Sequence, residues 1–373
     1  MFRDPLILVM HKELLIQEQD YINQDLIDHQ RLGDRIRLNI EKLTISNCYS
    51  VDLFLLSPLI YSNIKILCLK SCNITSCEGL VLPESLKSLD LSFNRIMPET
   101  LILPNSLEVL DISFNEISSY SNLILPPIKK LSLCGNPIMN FEGLLLTDNL
   151  QRLAITSTIS DYSTLILPSK LSFLSISGAE EALKCSTLTL PEELSILYLV
   201  GNHINNISDL ILPSKLKILD LSANKITHVE ALRLPPNLTE LELRRNEIVD
   251  MSSLILPRNL KKINIMENRS ESIPELPPLL ESIMIDRIPD SNPDKIKIRD
   301  TLRTYARQNN TLISFSQYDK DLHIPYRDYV IDSEILENRD IQFAIAKKRI
   351  KNTSKRIQMF ISKNIIRKSN FLQ

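Results

Sequence analysis

Tryptophan is absent from the 373 residues, and glycine occurs only 6 times. So few glycines leave no glycine-rich loop to cradle a phosphate. The 6 cysteines, Cys48, Cys68, Cys72, Cys77, Cys134 and Cys185, crowd into the N-terminal half of a long chain. Small secreted scaffolds are cysteine-dense, so this pattern predicts reduced thiols in an intracellular protein, cytoplasmic or nuclear. Cys68, Cys72 and Cys77 form no pair of C-x2-C knuckles and have no histidine nearby, so no metal is predicted there. No apolar run reaches the length of a membrane span, and the short run at 6–10 ends at His11, Lys12 and Glu13, which excludes a signal-peptide core. A formal net charge of -2 argues against a whole-protein nucleic-acid binder. The 5 histidines are scattered, and none pairs with a nucleophile and an orienting acid. The expectation is a non-enzyme without cofactor, metal or specific small molecule.

What is abundant is leucine and isoleucine, punctuated by 20 prolines. The chain reads LDLSFNRI at 89–96, LDISFNEI at 110–117 and LSLCGNPI at 131–138, then LYLVGNHI at 197–204, LDLSANKI at 219–226 and LELRRNEI at 241–248. Between these cores runs L-I-L-P, at 101–104, 123–126, 165–168, 210–213 and 254–257. The period is roughly 22 residues, and weaker copies in the same register bring the count to about twelve repeats. Each L-x-L predicts a short strand whose alternate residues point inward. The asparagine three residues on sits where the chain turns, and its amide both donates and accepts. Asn94, Asn115, Asn136, Asn202, Asn224, Asn246 and Asn268 therefore predict a ladder that satisfies buried backbone groups. Cys48 and Cys72 take the same slot, and Thr158 and Ala179 predict a weaker middle. Proline in the second motif favours an extended outer side with short turns, not long helices.

Over about residues 40–290 these motifs resemble the leucine-rich-repeat superfamily. The stretch NHINNISDLILPSKLKILDLSANKITHVEALRLP is similar to the repeats of phosphatase-regulating members. The L-P-x-x-L spacing and Ile273-Pro274-Glu275-Leu276-Pro277-Pro278 resemble bacterial effector repeats, and the style rich in Ile, Lys and Asn resembles fungal F-box/leucine-rich-repeat proteins. The chain departs from each. Asp4-Pro5-Leu6-Ile7 only faintly matches an F-box opening, no Cys beyond Cys185 is present for a ligase-type effector, and the phosphatase regulators' concave Trp has no counterpart. The resemblance implies an α/β solenoid, a leucine-rich-repeat horseshoe with a parallel concave sheet, a mostly extended or short-turn convex side and helical ends. It also implies a protein-protein interaction scaffold. Substrate recognition for a ubiquitin ligase is the leading form. A regulatory subunit of an enzyme such as a protein phosphatase is the alternative, and a bacterial-effector-like protein the second.

Strand residues alternating with the buried ones predict the binding surface on the concave face. They include Asp90, Asp111, Phe173, Ile196, Tyr198, Val200, Asp220, Glu242 and Arg244, with Phe93 and Phe114 beside the first two. Phe173, Tyr198 and Val200 are apolar where solvent is expected, which marks an interface. Three segments follow: an N-terminal helical cap at 1–40, the solenoid at 41–290, and an extension at 291–373. The stretch 341–373 carries nine basic residues and no acidic one, including Lys347, Lys348, Arg349, Lys355 and Arg356. Ile350, Ile357, Ile361 and Ile365 recur there at helical spacing. This predicts a basic amphipathic helix with an anionic partner.

Overall fold

The computed structural model describes residues 6–10, 13–17, 40–48, 51, 53, 56, 62–97, 100–156, 159–179, 181–286, 293–309 and 312–316. Among them fifteen strands form one sheet in strict sequence order. The first two are β1 (Leu6–Met10) and β2 (Glu13–Gln17). The repeat strands are β3 (Lys42–Ser46), β4 (Ile66–Lys70), β5 (Ser88–Asp90), β6 (Val109–Asp111), β7 (Lys130–Ser132) and β8 (Arg152–Thr156). They continue through β9 (Phe173–Ser177), β10 (Ile196–Tyr198), β11 (Ile218–Asp220), β12 (Glu240–Glu242), β13 (Lys262–Asn264) and β14 (Ser282–Asp286), and β15 (Leu312–Ser316) follows. Every junction from β2 onward is parallel, and only β1 runs antiparallel to β2.

Short strands form because each L-x-L places both leucines in the core and the residue between them on the sheet face. Leu89, Leu110, Leu197 and Leu219 are wholly buried, as are Leu91, Leu199 and Leu221 two residues on. The asparagine ladder then turns the chain. Asn224 Oδ1 accepts from the backbone N–H groups of Asn202 (3.0 Å) and Ile204 (3.0 Å), and its Nδ2 donates to the carbonyls of Leu199 and Leu221, both at 2.8 Å. Asn94, Asn115, Asn136, Asn202, Asn246 and Asn268 repeat parts of this pattern. Ala179 has no amide to offer, and only its N–H joins, donating to Asn202 Oδ1 at 3.3 Å. Thr158 lies outside the described residues.

The outer wall is mostly extended, with turns and, at Cys185–Thr187, a short 3-10 helix among the described residues. Its prolines open tight turns in which the N–H three residues on donates back, as Leu107 to Pro104 and Leu216 to Pro213. A second turn of the same kind precedes the next L-x-L, as Leu123 to Tyr120 and Leu210 to Ile207.

The ends differ from the sequence pattern at one side. Where helix is predicted in 1–40, residues 6–10 and 13–17 are strands. The reason is the free edge of β3, whose unpaired backbone groups take a partner strand readily. The sheet likewise runs beyond residue 290, because β15 pairs in register with β14. Between them lies helix α1 (Pro293–Asn309), which starts on a proline, a favoured first helical residue. Its Leu302 is wholly buried, and the Tyr305 hydroxyl donates to the Pro277 carbonyl. No described helix is long and apolar enough to cross a membrane. The predicted basic residues Lys347, Lys348, Arg349, Lys355 and Arg356 lie outside the described residues.

Candidate interaction surface

Parallel register stacks equivalent side chains of successive strands into rows on the sheet face. The central row passes through Cys68, Asp90, Asp111 and Ser132, and further on through Ser175, Tyr198, Asp220 and Glu242. Strands about 4.8 Å apart bring such neighbours into contact.

At the N-terminal end two aspartates stand side by side. Asp90 accepts from the Ser92 N–H at 2.8 Å, and Asp111 accepts from the N–H (2.9 Å) and hydroxyl of Ser113. Burial and the charge of Asp90 push the Asp111 carboxyl up to about 6. The Cys68 thiol donates to Asp90 at 3.5 Å, and burial followed by the Asp90 charge pushes it up to about 12. Beside the pair, the rings of Phe93 and Phe114 stack with centroids 4.5 Å apart, and the Lys70 ammonium sits 4.9 Å from the Phe93 centroid.

These two phenylalanines occupy the left-handed region, with φ of 63° and 54°. The same slot, one residue before the ladder position, holds Gly135, Gly178, Gly201, Ala223, Arg245 and Glu267, all at positive φ. The turn demands that geometry. The N–H groups of Phe93, Phe114, Gly178, Gly201, Ala223 and Arg245 donate onward to carbonyls of the next repeat, as Phe93 to Ser113 (2.9 Å) and Ala223 to Arg244 (2.8 Å). Gly135 is required twice over, since a Cβ there would stand 2.3 Å from the Phe114 ring.

In the middle, Phe173 and Tyr198 meet edge to face at 5.3 Å, and the Arg152 guanidinium lies 4.0 Å over the Phe173 ring. This corrects the picture of a solvent-facing apolar group. Phe173 and Tyr198 are only 4% and 8% exposed, because in-register neighbours cover large rings on so closely spaced strands. Ile196 and Val200 remain half-buried at its margin.

Toward the C-terminal end the surface is charged. Asp220 is buried and accepts from the Ser222 N–H at 2.9 Å, whereas Glu242 and Arg244 are half-buried. Arg244 and Arg245 both grip Glu267, at 2.6 Å each, and Lys262 pairs with Glu240 at 2.9 Å. Burial pushes Glu267 up, and the two arginines more than offset it, leaving its carboxyl below the usual range. Of the predicted residues, Asp90, Asp111, Ile196, Val200, Glu242 and Arg244 thus offer surface, while Phe173, Tyr198 and Asp220 support it from beneath.

Burial also pushes Cys77 up to about 12 and Cys134 and Cys185 up to about 11, so these thiols stay protonated and non-nucleophilic near neutrality. All six cysteines are free. Among the described residues no group of acidic, His and Cys side chains is arranged to hold a metal ion. The sequence signals the strained slot before each ladder asparagine only at Gly135 and Gly201, which both stand immediately before an asparagine.

Comparison with known proteins agrees with this geometry. Three leucine-rich-repeat family models match, over residues 192–248, 85–108 and 104–119. No curated protein sequence shows significant similarity. Among solved structures, YopM from Yersinia enterocolitica WA-314 is similar at 26% identity and a TM-score of 0.43, over 66% of this chain, which spans 59% of YopM's. An internalin (InlF) from Listeria monocytogenes is 15% identical with a TM-score of 0.54, over 86% of this chain and 87% of its own. The Drosophila Toll–Spatzle complex matches at 19% identity and a TM-score of 0.52, over 74% of this chain and 43% of the other. The last two share the solenoid fold.

Proposed function

The chain is a leucine-rich-repeat protein, and from that premise we propose that it is a scaffold binding a protein partner across the face of its parallel sheet. The observation that carries this reading is the row structure of that face. Side chains from ten successive strands, β5 to β14, are held in fixed register by a hydrogen-bonded backbone, and they change in character along the sheet. A rigid surface of this kind limits the ordering cost of association. Paired carboxylates at Asp90 and Asp111, apolar margins at Ile196 and Val200, and charges at Glu242 and Arg244 supply the contrast that sets specificity. Solenoids of this fold are typically binding scaffolds, not enzymes.

The test is affinity purification with the full chain and two variants. Proteins retained by the wild type are expected to be lost from an Asp90→Lys/Asp111→Lys/Glu242→Lys variant and kept by a control altered at exposed Ile211. Equal retention by both variants would sink the reading.

Within it, substrate recognition for a ubiquitin ligase is the most concrete form. The ligase adaptor subunit is then expected to co-purify with the full chain, and its absence from the purified complex counts against that form. Regulation of an enzyme such as a phosphatase is the alternative, expected to show as inhibition that Glu242→Lys abolishes. The basic segment at Lys347, Lys348, Arg349, Lys355 and Arg356 is proposed to take an anionic partner. Salt-sensitive binding to vesicles of acidic phospholipid or to nucleic acid, lost when these residues become Gln, tests it. Free cysteines support a reducing compartment, cytoplasm or nucleus.

A further inference from the structure

The outer wall carries a feature that partner binding on the sheet face does not use. In five consecutive repeats the middle residue of the L-x-L segment is aliphatic and points away from the core: Val81, Ile102, Ile124, Leu145 and Ile166. The last four are 78–83% exposed, and Val81 is 41% exposed. Each is preceded by a buried leucine and followed by one packed partly on the core, so the segment cannot rotate to hide its middle residue. The flanking backbone turns at Leu123, Leu144 and Leu165 hold it in place. The run is broken where the same slot becomes Thr189; beyond it the slot is aliphatic only singly, at exposed Ile211 and Ile255, with Arg233 between them. Scattered surface aliphatics are ordinary, but five in register on adjacent turns are a contiguous patch of the kind that marks an interface.

We propose that this row of aliphatic teeth is the contact of an antiparallel homodimer. Three arguments select a second copy. The first is area. A fully exposed branched aliphatic side chain carries roughly 100 Å² of apolar surface. At their observed exposure the five teeth and the half-buried leucines behind them offer roughly 500 Å². A standard interface takes about 800 Å² from each partner, and in homodimers about 65% of it is apolar. The row therefore supplies about the apolar core that a stable dimer needs. The second is pitch. Teeth set one per turn repeat with the pitch of the outer wall, and a second copy necessarily carries the same pitch. The third is charge. Exposed Glu84 follows the first tooth, and exposed Lys170 follows the last. A parallel arrangement sets Glu84 against Glu84. An antiparallel one, with its two-fold axis at Ile124, sets Glu84 against Lys170 of the other copy.

The experiment is light scattering coupled to size exclusion on the full chain at tens of micromolar. A discrete dimer is expected for the wild type, and a monomer with an unchanged circular dichroism spectrum for Ile102→Asp/Ile124→Asp/Ile166→Asp. These positions are exposed, so the fold is expected to tolerate the change. Orientation is read by mild oxidation of cysteine variants. Ile124→Cys is expected to cross-link to itself. Val81→Cys is expected to stay uncrossed alone and to cross-link when mixed with Ile166→Cys. A monomeric wild type, a dimer that survives the triple substitution, or an open series of larger oligomers overturns the proposal. Self-cross-linking of Val81→Cys overturns its antiparallel form. Partner capture on the sheet face does not depend on these outcomes, so the two readings fail separately.

Discussion

At the scale of single residues, the ladder amides and the carboxyls of the sheet face dominate. Asn224 satisfies four backbone groups at once, all in the buried turn. Alanine there leaves those groups without partners, at a net cost of about 3–5 kcal/mol. Asn268 is half-buried, so Asn268→Ala is expected to cost less. Urea denaturation of the two variants measures the difference, and equal losses would contradict the ladder's role. Asp111 offers a second test. Its carboxyl is held at about 6 against an ordinary 3.8, so the folded state favours the protonated form. That contribution is fully present below about pH 4 and is lost as pH rises through 6. Asp111→Asn keeps an acceptor for Ser113 without the charge. It is expected to be more stable than wild type by about 1–2 kcal/mol at pH 7.5, and the gain should vanish toward pH 4. A pH-independent difference argues against a strained carboxyl pair.

At the scale of the element, one repeat contains the whole logic. Leu219 on β11 is wholly buried, whereas Ile211 on the preceding outer wall is 82% exposed. Leu219→Ala is expected to cost about 2–5 kcal/mol and Ile211→Ala almost nothing. Thermal melts of the pair, 8 residues apart in sequence, test whether the repeat has been placed in the right register. The left-handed slot belongs to this scale too. Nine non-glycine residues adopt it or a nearby turn geometry, each at a cost of order 1 kcal/mol, and at Asn47, Ser71, Phe93, Phe114, Ala223 and Arg245 a hydrogen bond from the N–H to a carbonyl of the next repeat offsets it.

At the scale of the solenoid, stability is a sum of repeats and of the contacts between neighbours. The apolar end of such a stack needs a cover. Helix α1 provides one at the C-terminal end through Leu302 and the Tyr305 hydroxyl on the Pro277 carbonyl. Leu302→Asp is expected to raise amide hydrogen exchange in β13 and β14 while β5 and β6 keep their protection. Uniform exchange along the sheet would show instead that the solenoid opens as one unit.

The recurring L-x-L, the asparagine and the L-I-L-P are short-range patterns, so one-dimensional order was enough to determine the repeat, the parallel sheet, the ladder and an outer wall without long helices. The aspartates at 90 and 111 were likewise legible as surface, because strand alternation alone places them on the sheet face. Tertiary structure decided the rest, wherever the answer depends on what stands about 22 residues away. Phe173 and Tyr198 alternate correctly yet are covered, because Arg152 and each other's rings reach across the strand spacing. Residues 6–10 and 13–17 carry an apolar pattern compatible with helix, and an open sheet edge makes them strands. Gly135 is set by the Phe114 ring of the preceding repeat. The aliphatic tooth in each L-I-L was visible as a letter, but its exposure follows from stacking, which gives every turn the same outward residue and no later segment to bury it among the described residues.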